Sequence, residues 1–195
     1  MHNVAIVILA AGASSRMHRP KALLPWPKES LIRHHLNLLK NLPVDIFICS
    51  GKHHQEISDE LSENSATILF HENWEKGMGS SIAFSCAQLN NYESLLLMAV
   101  DQPLVSTAHL LKIIKTAADK KDHIIYSSNP EIQFSIPVLF PKSKYPELKL
   151  LSNDKGAKKI VQESSKNIKV EVSALELSDM DTQEDYNYLF QFAHH

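Results

Sequence analysis

An apolar run that ends in small residues and two cations is the feature that most constrains this chain. Val4 to Leu9 are all apolar and mostly β-branched, which predicts a strand buried on both faces of a sheet. Small residues occupy positions 10 to 15, and Arg16 and Lys21 follow. Small side chains let the backbone approach a ligand, and Gly12 can adopt dihedral angles that other residues resist. A strand, a turn of exposed N–H groups and then positive charge together predict a loop that binds a nucleoside triphosphate.

The loop does not have the spacing of the commoner phosphate-binding motifs. It lacks GxGxxG, which disfavours a dinucleotide-binding Rossmann domain, and it lacks GxxxxGK[ST], which disfavours a Walker-type ATPase. From the residues alone, an ordinary surface loop with two solvated cations remains an alternative.

Length and composition predict one cytoplasmic domain. The 195 residues suffice for one sizeable core, and we expect a nucleotide-binding half over 1–128 and an acceptor or lid half over 129–195. A formal net charge of -2 argues against a nucleic-acid partner. No apolar run approaches the ~20 residues of a membrane helix, and the first residues lack the pattern of a secretion signal. Cys49 and Cys86 lie in apolar runs, and we expect both to be reduced core residues.

Strand-like and helix-like segments alternate along the chain, which predicts a parallel sheet covered by helices on both faces. Such sheets bind ligands beyond the carboxyl ends of their strands, where the small-residue loop lies. Gly51 ends the second strand, and an ordinary turn explains it. The predicted strands are 4–9, 45–51, 66–70, 95–100, 123–127 and 168–172, with a short apolar run at 136–140; the predicted helices are 31–42, 54–63, 78–89, 107–118, 144–151, 156–162 and 182–192.

Asp101 directly follows the most apolar predicted strand, at the edge of the sheet where ligands bind. A carboxylate at the tip of a buried strand is well placed to hold Mg²⁺. The alternative is that Asp101 caps the next helix, although Ser106 and Thr107 lie nearer to the start of that helix.

The small-residue loop resembles the signature loop of the MobA/MocA-like nucleotidyltransferases, LAAG-x-S-x-RMG-xx-K-x-LLP. The match consists of residues 9–12, 15–17, Lys21 and 23–25, and His18 stands where the family usually has Gly. The sequence LAAG, rather than LAGG, resembles the MocA branch, the molybdenum cofactor cytidylyltransferases. The resemblance implies a three-layer, Rossmann-like α/β fold of the nucleotide-diphospho-sugar transferase type, with a mainly parallel sheet and helices on both faces.

Three further segments resemble family motifs. Residues 73–82 resemble N-xx-[WY]-x-x-GM-x-S-S-[IL], where small donors precede a helix; a Ser-capped helix is the alternative. Asp101 and Pro103 match the D-x-P motif that holds the catalytic magnesium in the family. Residues 179–185 resemble D-I-D-T-P-E-D, with Gln183 for Pro, which implies a second magnesium carboxylate at Asp181. From the residues alone, Asp181 or Thr182 could equally be the N-cap of the last helix.

The acceptor side matches the family less well. Residues 153–157 resemble G-D-x-G-A, with Asn153 for Gly. Residues 135–140 stand where the family commonly has G-H-P-V-L-F, and only Pro137 and the apolar residues after it match. The loss of the Gly-His pair leaves a sugar-phosphate or polyol-phosphate acceptor as an alternative to a molybdopterin-type acceptor.

The resemblance implies nucleotidyl transfer, in which a phosphate on the acceptor attacks the α-phosphorus of CTP and pyrophosphate leaves. A molybdoenzyme or its chaperone is the implied protein partner, and a nucleotide-binding module without turnover is the alternative from another class. The implied roles are catalysis for Arg16, Lys21 and Asp101; nucleotide binding for Leu9, Ala10, Ala11, Gly12, Ser14, Asn73, Gly79 and Ser80; Mg²⁺ binding for Asp101 and Asp181; and acceptor binding for Ser135, Pro137, Asp154 and Gly156.

Overall fold

The computed structural model describes residues 3–14, 17, 19–62, 66–153 and 156–193. Strands and helices alternate over most of this length. The strands are β1 Val4–Ala10, β2 Pro25–Trp26, β3 Glu29–Ser30, β4 Asp45–Ser50, β5 Thr67–Phe70, β6 Ser94–Ala99, β7 Ile124–Ser128, β8 Ser135–Pro141 and β9 Asn167–Glu171. The helices are α1 Leu31–Leu39, α2 His54–Glu60, α3 Met78–Gln88, α4 Thr107–Asp119, α5 Tyr145–Leu148, α6 Lys158–Glu163 and α7 Gln183–Phe190.

A seven-stranded, mainly parallel sheet organises the molecule, with strand order β5-β4-β1-β6-β8-β7-β9. The pairs β1–β4, β1–β6, β4–β5 and β7–β9 are parallel, whereas β8 is antiparallel to both β6 and β7. The β7–β8 connection of residues 129–134 is too short for a helical crossover, so the apolar run at 136–140 returns as an antiparallel strand. The expected α/β fold is confirmed, with this one reversed strand.

Side-chain alternation along β1 divides the interior into two apolar layers. Val4, Ile6 and Ile8 pack on one face of the sheet together with α1, α2, α4 and α7. Ala5 and Val7 pack on the opposite face with α3, α5 and α6. The molecule is therefore a three-layer structure in which β1 is covered on both sides, as its continuous apolar sequence requires.

Several element ends differ from the sequence-based prediction. Helix α1 ends at Leu39 rather than at 42, and Leu42 instead donates a turn hydrogen bond to the Leu39 carbonyl at 2.9 Å. The residue before a proline disfavours helical dihedral angles, and Pro43 follows directly. The β2–β3 hairpin was not predicted, because strands of two residues are too short to show a period.

Both cysteines are free and buried, as expected for reduced core residues. Burial raises the pKa of Cys49 and of Cys86 to about 11. In the ranges that the structure describes, no helix is long and apolar enough to cross a membrane.

Candidate active site

A cleft of about 440 Å³ opens beyond the carboxyl ends of β1, β4 and β6. This is the edge of the sheet at which parallel α/β folds bind ligands. Its lining combines the small-residue loop with the residues that follow the neighbouring strands. It comprises Leu9, Ala10, Ala11, Gly12, Ala13, Ser14, Pro20, Lys21, Ala22, His53, Ile57, Trp74, Glu75, Gly77, Met78, Ser81, Ala99, Val100, Asp101 and Asp181.

The turn of the loop depends on Ser14 rather than on Gly12. Ser14 has a φ of 50°, in the left-handed region, whereas Gly12 does not have a positive φ. The Ser14 hydroxyl accepts a hydrogen bond from the backbone N–H of Lys21 at 2.9 Å. This bond joins Ser14 to the backbone seven residues further along the chain. A Cβ at Gly12 would meet nothing within 4 Å, so Gly12 contributes open space in the cleft and not an unusual dihedral angle. The dihedral freedom of Gly12 is therefore not what makes this turn.

Gly51 is required by close packing, contrary to the interpretation of it as an ordinary turn residue. A Cβ at this position would lie 2.5 Å from the Ala11 carbonyl oxygen and 2.6 Å from the Cβ of Trp74. Because Gly51 has no side chain, the small-residue loop and Trp74 can approach each other at the end of β4.

Lys21 joins two carboxylates from distant parts of the chain. Its Nζ atom donates to Asp101 Oδ2 and to Asp181 Oδ1, each at 2.7 Å. The Lys21 side chain is 14% exposed, Asp101 is 24% exposed and Asp181 is 51% exposed. Burial lowers the pKa of Lys21, but its interactions with both carboxylates outweigh burial and raise the pKa above its ordinary value. The ammonium group is thus held charged in the cleft.

Asp179 adds a third carboxylate near this pair. Burial, and then repulsion by Asp101 and Asp181, raise the pKa of Asp179, although the hydrogen bond from Gln102 and the charge of Lys21 oppose the shift. One residue further on, the Met180 N–H donates to the Asp101 carbonyl at 2.8 Å. The C-terminal segment is therefore bonded directly to the segment that carries Asp101.

The helix caps resolve the alternatives for both aspartates. Ser106 is the N-cap of α4, since its hydroxyl accepts from the His109 N–H at 3.2 Å. Thr182 is the N-cap of α7, where it forms a capping box with Asp185. Neither Asp101 nor Asp181 acts as the side-chain cap, and both carboxylates contact Lys21 instead.

Two histidines of α1 hold the segment that carries Asp101. His35 Nε2 bonds the Val100 carbonyl and His34 Nε2 bonds the Pro103 carbonyl, both at 2.9 Å. A ring nitrogen facing a carbonyl must carry the proton, so both histidines donate through Nε2. The backbone is therefore fixed on either side of Asp101.

The residues just before α3 and in its first turn line part of the cleft, but they are not the three residues that the family motif implies. Trp74, Gly77, Met78 and Ser81 line the cleft, whereas Asn73, Gly79 and Ser80 do not. The Gly79 N–H donates to the Asn153 carbonyl at 2.8 Å, and the Ser80 hydroxyl donates to the Gly77 carbonyl at 2.8 Å. The N-cap of α3 is Gly77, with a φ of 88°, so the alternative of a Ser-capped helix was wrong.

None of the predicted acceptor residues that the structure describes is part of the cleft lining. Ser135 begins β8, and its hydroxyl accepts from Gln102 Nε2 at 3.2 Å. Pro137 is buried, and its carbonyl accepts from the Ser127 hydroxyl at 2.7 Å. Gly156 is half-buried just before α6. Arg16 and Asp154 lie outside the described residues.

The donor set fits a magnesium ion that is shared with a substrate. Asp101 Oδ2 and Asp181 Oδ1 each lie 2.7 Å from the same nitrogen, so both carboxylates face one point of the cleft and would hold a cation there in place of the ammonium. Mg²⁺ is commonly held by one or two carboxylates plus substrate phosphates. Among the described residues, no group of three or more His, Cys, Asp or Glu side chains is arranged as a metal site. Phosphate oxygens of a substrate and water molecules would complete the coordination.

Sequence reasoning did not select several residues that line the cleft, including His53, Trp74 and Glu75. His53 follows the end of β4, and its Nε2 atom lies 3.5 Å from the Ala13 carbonyl. His53 could have been selected from its position just after a predicted strand. The carboxyl ends of adjacent parallel strands meet at one edge of the sheet, and β4 pairs with β1.

The fold is that of a nucleotidyltransferase domain. Residues 6–168 match the model of the MobA-like NTP transferase domain. Because this match covers most of the sequence, the chain belongs to the family of MobA-like NTP transferase domains.

Curated relatives match only part of this chain. The bifunctional protein GlmU of Francisella philomiragia is 31% identical over 120 residues, which are 60% of this chain and 26% of the relative. The chain thus spans about a quarter of the length of the curated relatives it matches.

Solved structures match nearly the whole chain. A nucleotidyl transferase from Methanothermobacter thermautotroptrophicus, Mth528, has a TM-score of 0.86 at 19% identity, over 99% of this chain and 98% of that one. Rv0371c from Mycobacterium tuberculosis has a TM-score of 0.83 at 24% identity, over 97% and 98%; it has also been solved with manganese. Molybdopterin-guanine dinucleotide biosynthesis protein A from Archaeoglobus fulgidus has a TM-score of 0.71 at 17% identity, over 97% and 98%. At these identities, the likeness concerns the fold.

Proposed function

We propose that this protein transfers CMP from CTP to a phosphate-bearing, molybdopterin-type acceptor and releases pyrophosphate, with Mg²⁺ bound. The observation that carries the proposal is the Lys21 ammonium, held between Asp101 and Asp181 in a cleft that the 11–14 loop borders. A cation, paired carboxylates and backbone N–H groups at one point are suited to a nucleoside triphosphate and its metal.

Positioning and charge stabilisation account for the chemistry. A phosphate oxygen of the acceptor attacks the α-phosphorus of CTP, and the bond between that phosphorus and the bridging oxygen of the β-phosphate breaks. A phosphate monoester is already anionic near neutral pH, so the step requires no strong general base. Lys21, with Arg16, stabilises the charge that develops on the pyrophosphate.

The remaining roles follow the geometry of the cleft. Asp101 and Asp181 would hold Mg²⁺, which supplies charge neutralisation between phosphate oxygens. Residues 9–14 would line the triphosphate and the base, and we assign nucleotide binding to 1–128, since the lining lies within 9–101 apart from Asp181. We assign the acceptor to the 129–195 half, with Ser135, Pro137, Asp154 and Gly156 beside it. Asn73, Gly79 and Ser80 would act through the segments they support.

The identities of the donor, CTP, and of the acceptor, a molybdopterin-type compound, are more specific than the reaction class and have their own support. The LAAG sequence at 9–12 supports the cytidylyltransferase branch, and the fold shared with molybdopterin-guanine dinucleotide biosynthesis protein A supports an acceptor of this kind. The replacement of the family's Gly-His pair by Ser135 and Ile136 favours a second candidate, a sugar-phosphate or polyol-phosphate acceptor.

Two assays test the proposal. Thermal unfolding with CTP, GTP, ATP or UTP and Mg²⁺ identifies the donor, because a ligand at 100 times its Kd stabilises by about 2.7 kcal/mol. Pyrophosphate release with CTP is then measured with molybdopterin, sugar phosphates and polyol phosphates. We expect CTP to give the largest rise in Tm and molybdopterin the fastest release. Stabilisation without release from any acceptor would indicate a binding module, and no stabilisation by any nucleotide would refute the proposal.

A further inference from the structure

Gln102 is a buried carboxamide next to Asp101, with 1% of its surface exposed. Its Nε2 atom donates to three acceptors: the Ser135 hydroxyl at 3.2 Å, the Leu177 carbonyl at 3.4 Å and Asp179 Oδ1 at 3.0 Å. These acceptors belong to the first residue of β8 and to the segment before α7. One side chain therefore joins two segments, the start of β8 and the segment before α7, to the residues that follow β6.

The chemistry of these partners requires a donor at this position. A carbonyl and a carboxylate can only accept hydrogen bonds, so the amide nitrogen must face them. Among the described residues, the Gln102 Oε1 atom has no hydrogen-bond partner. The hydrogen bonds of Nε2 therefore determine how the carboxamide is oriented, and the buried Oε1 atom is left without a hydrogen bond, which costs free energy.

We propose that Gln102 is a positioning residue that couples the acceptor side of the cleft, at Ser135, to the carboxylate of Asp181. The inference rests on the proposed function, because it assigns those two residues to acceptor and metal. Gln102 holds Asp179, and Asp179 is two residues from Asp181, which contacts Lys21. The Met180 N–H bond to the Asp101 carbonyl completes the connection. A shift at Ser135 thus reaches the carboxylate pair through Gln102.

The coupling predicts a specific kinetic pattern. Gln102 does not line the nucleotide cleft, so its loss leaves the nucleotide contacts in place. We expect Gln102→Met to lower kcat by roughly tenfold to a hundredfold and to raise the KM of the acceptor, since small misplacements of reacting groups have effects of this size. The affinity for the nucleotide in the absence of a metal ion should stay close to the wild-type value.

A double-mutant cycle tests whether Gln102 acts through Ser135. Gln102→Met, Ser135→Ala and the double variant are compared, and we expect the double variant to lose about as much kcat as Gln102→Met alone. Tyr92→Phe is the matched control, since it removes a partly buried hydrogen bond to Asp45, at 2.8 Å, which lies at the opposite end of β4 from the cleft. If Gln102→Met does not fold, Gln102→Glu has the same shape and replaces the donor by an acceptor.

A readout without turnover separates this inference from the proposed function. Binding of Mn²⁺ in the presence of a non-hydrolysable CTP analogue, followed by electron paramagnetic resonance, should weaken in Gln102→Met and not in Tyr92→Phe. Unchanged kcat and unchanged Mn²⁺ binding, or additive losses in the cycle, would overturn the role of Gln102. Absence of transfer by the wild-type protein would refute the proposed function, and Mn²⁺ binding would then decide on Gln102 alone.

Discussion

The Nζ atom of Lys21 lies 2.7 Å from the Oδ2 atom of Asp101, although 80 residues separate them in the chain. The same nitrogen lies 2.7 Å from Asp181, which is 160 residues away. The end of the loop after β1, the end of β6 and the start of α7 therefore meet at one ammonium group. An ion pair in which one carboxylate and the ammonium are mostly shielded is far less screened than a surface pair. The charge of Lys21 is thus fixed where a triphosphate would lie.

Removal of this charge should impair turnover strongly. We expect Lys21→Ala to lower kcat for pyrophosphate release by at least ~100-fold, because a preorganised charge that stabilises a leaving group contributes on that scale. The exposed Lys28 lies in the turn of the β2–β3 hairpin and outside the cleft, so Lys28→Ala is the matched control and should keep wild-type turnover. Near-normal turnover in Lys21→Ala would exclude the assigned role.

Lys21 should also compete with a metal for the two carboxylates. In the absence of nucleotide, we expect Lys21→Met to bind Mn²⁺ more tightly than the wild-type protein, because the variant leaves Asp101 and Asp181 without their shared cation. Isothermal titration with Mn²⁺ alone measures the effect. Asp101→Asn in the same background should abolish the gain, and weaker Mn²⁺ binding in Lys21→Met would contradict the competition.

Gly12, which lines the cleft, and Gly51, which packs behind it, should respond differently to the same added methyl group. A Cβ at Gly51 would overlap the Ala11 carbonyl and Trp74, so we expect Gly51→Ala to lower the free energy of unfolding by about 1–3 kcal/mol. A Cβ at Gly12 meets nothing within 4 Å, so Gly12→Ala should leave stability nearly unchanged and weaken nucleotide binding instead. Urea unfolding and nucleotide titration of both variants measure the two effects. Gly156→Ala, where a Cβ also meets nothing, is the control for both.

His35 should make the protein less stable in mild acid. Burial, and then the nearby His34, lower the pKa of His35 to about 4, although its bond to the Val100 carbonyl opposes the shift. Between about pH 6.5 and 4, the unfolded chain binds a proton at this residue that the folded chain does not. The free energy of unfolding should therefore fall as the pH falls through this window, by roughly 2 kcal/mol at pH 5.

The comparison of pH 7 with pH 5 by urea unfolding measures this loss. His35→Gln keeps a donor for the Val100 carbonyl and has no group that titrates, so its stability should change less between the two pH values. An equal loss in the variant and in the wild-type protein would show that His35 is not responsible.

The three-layer fold could be predicted because its signals are local. The continuous apolar run at Val4–Ala10 requires cover on both faces, and the alternation of strand and helix periods gives the crossovers. The reversal of β8 could not be predicted from its apolar run, because a buried strand has the same pattern in either direction. Only the short β7–β8 connection indicates it.

Site residues could be predicted where a sequence motif contains them. They could not be predicted where their role depends on a contact between distant segments of the chain. The sequence pointed to Lys21, Asp101 and Asp181 as candidates, but their shared contact depends on strand order and on the packing of the C-terminal segment. Gly51 could not be interpreted correctly from the sequence. Its residue type suggests a turn, but the structure shows that Ala11 and Trp74 leave no space for a side chain there.

The sequence by itself determined the layered α/β architecture, the edge of the sheet that carries the loop, and the family to which the loop belongs. These properties can be recognised from the periodicity of apolar residues and from the spacing of motif residues, which are visible within short stretches of sequence. The tertiary structure alone decided that neither Asp101 nor Asp181 caps a helix, why Gly51 has no side chain, and that Gln102 contacts both Ser135 and Asp179. Each of these depends on distances between segments far apart in the chain, which no local pattern records.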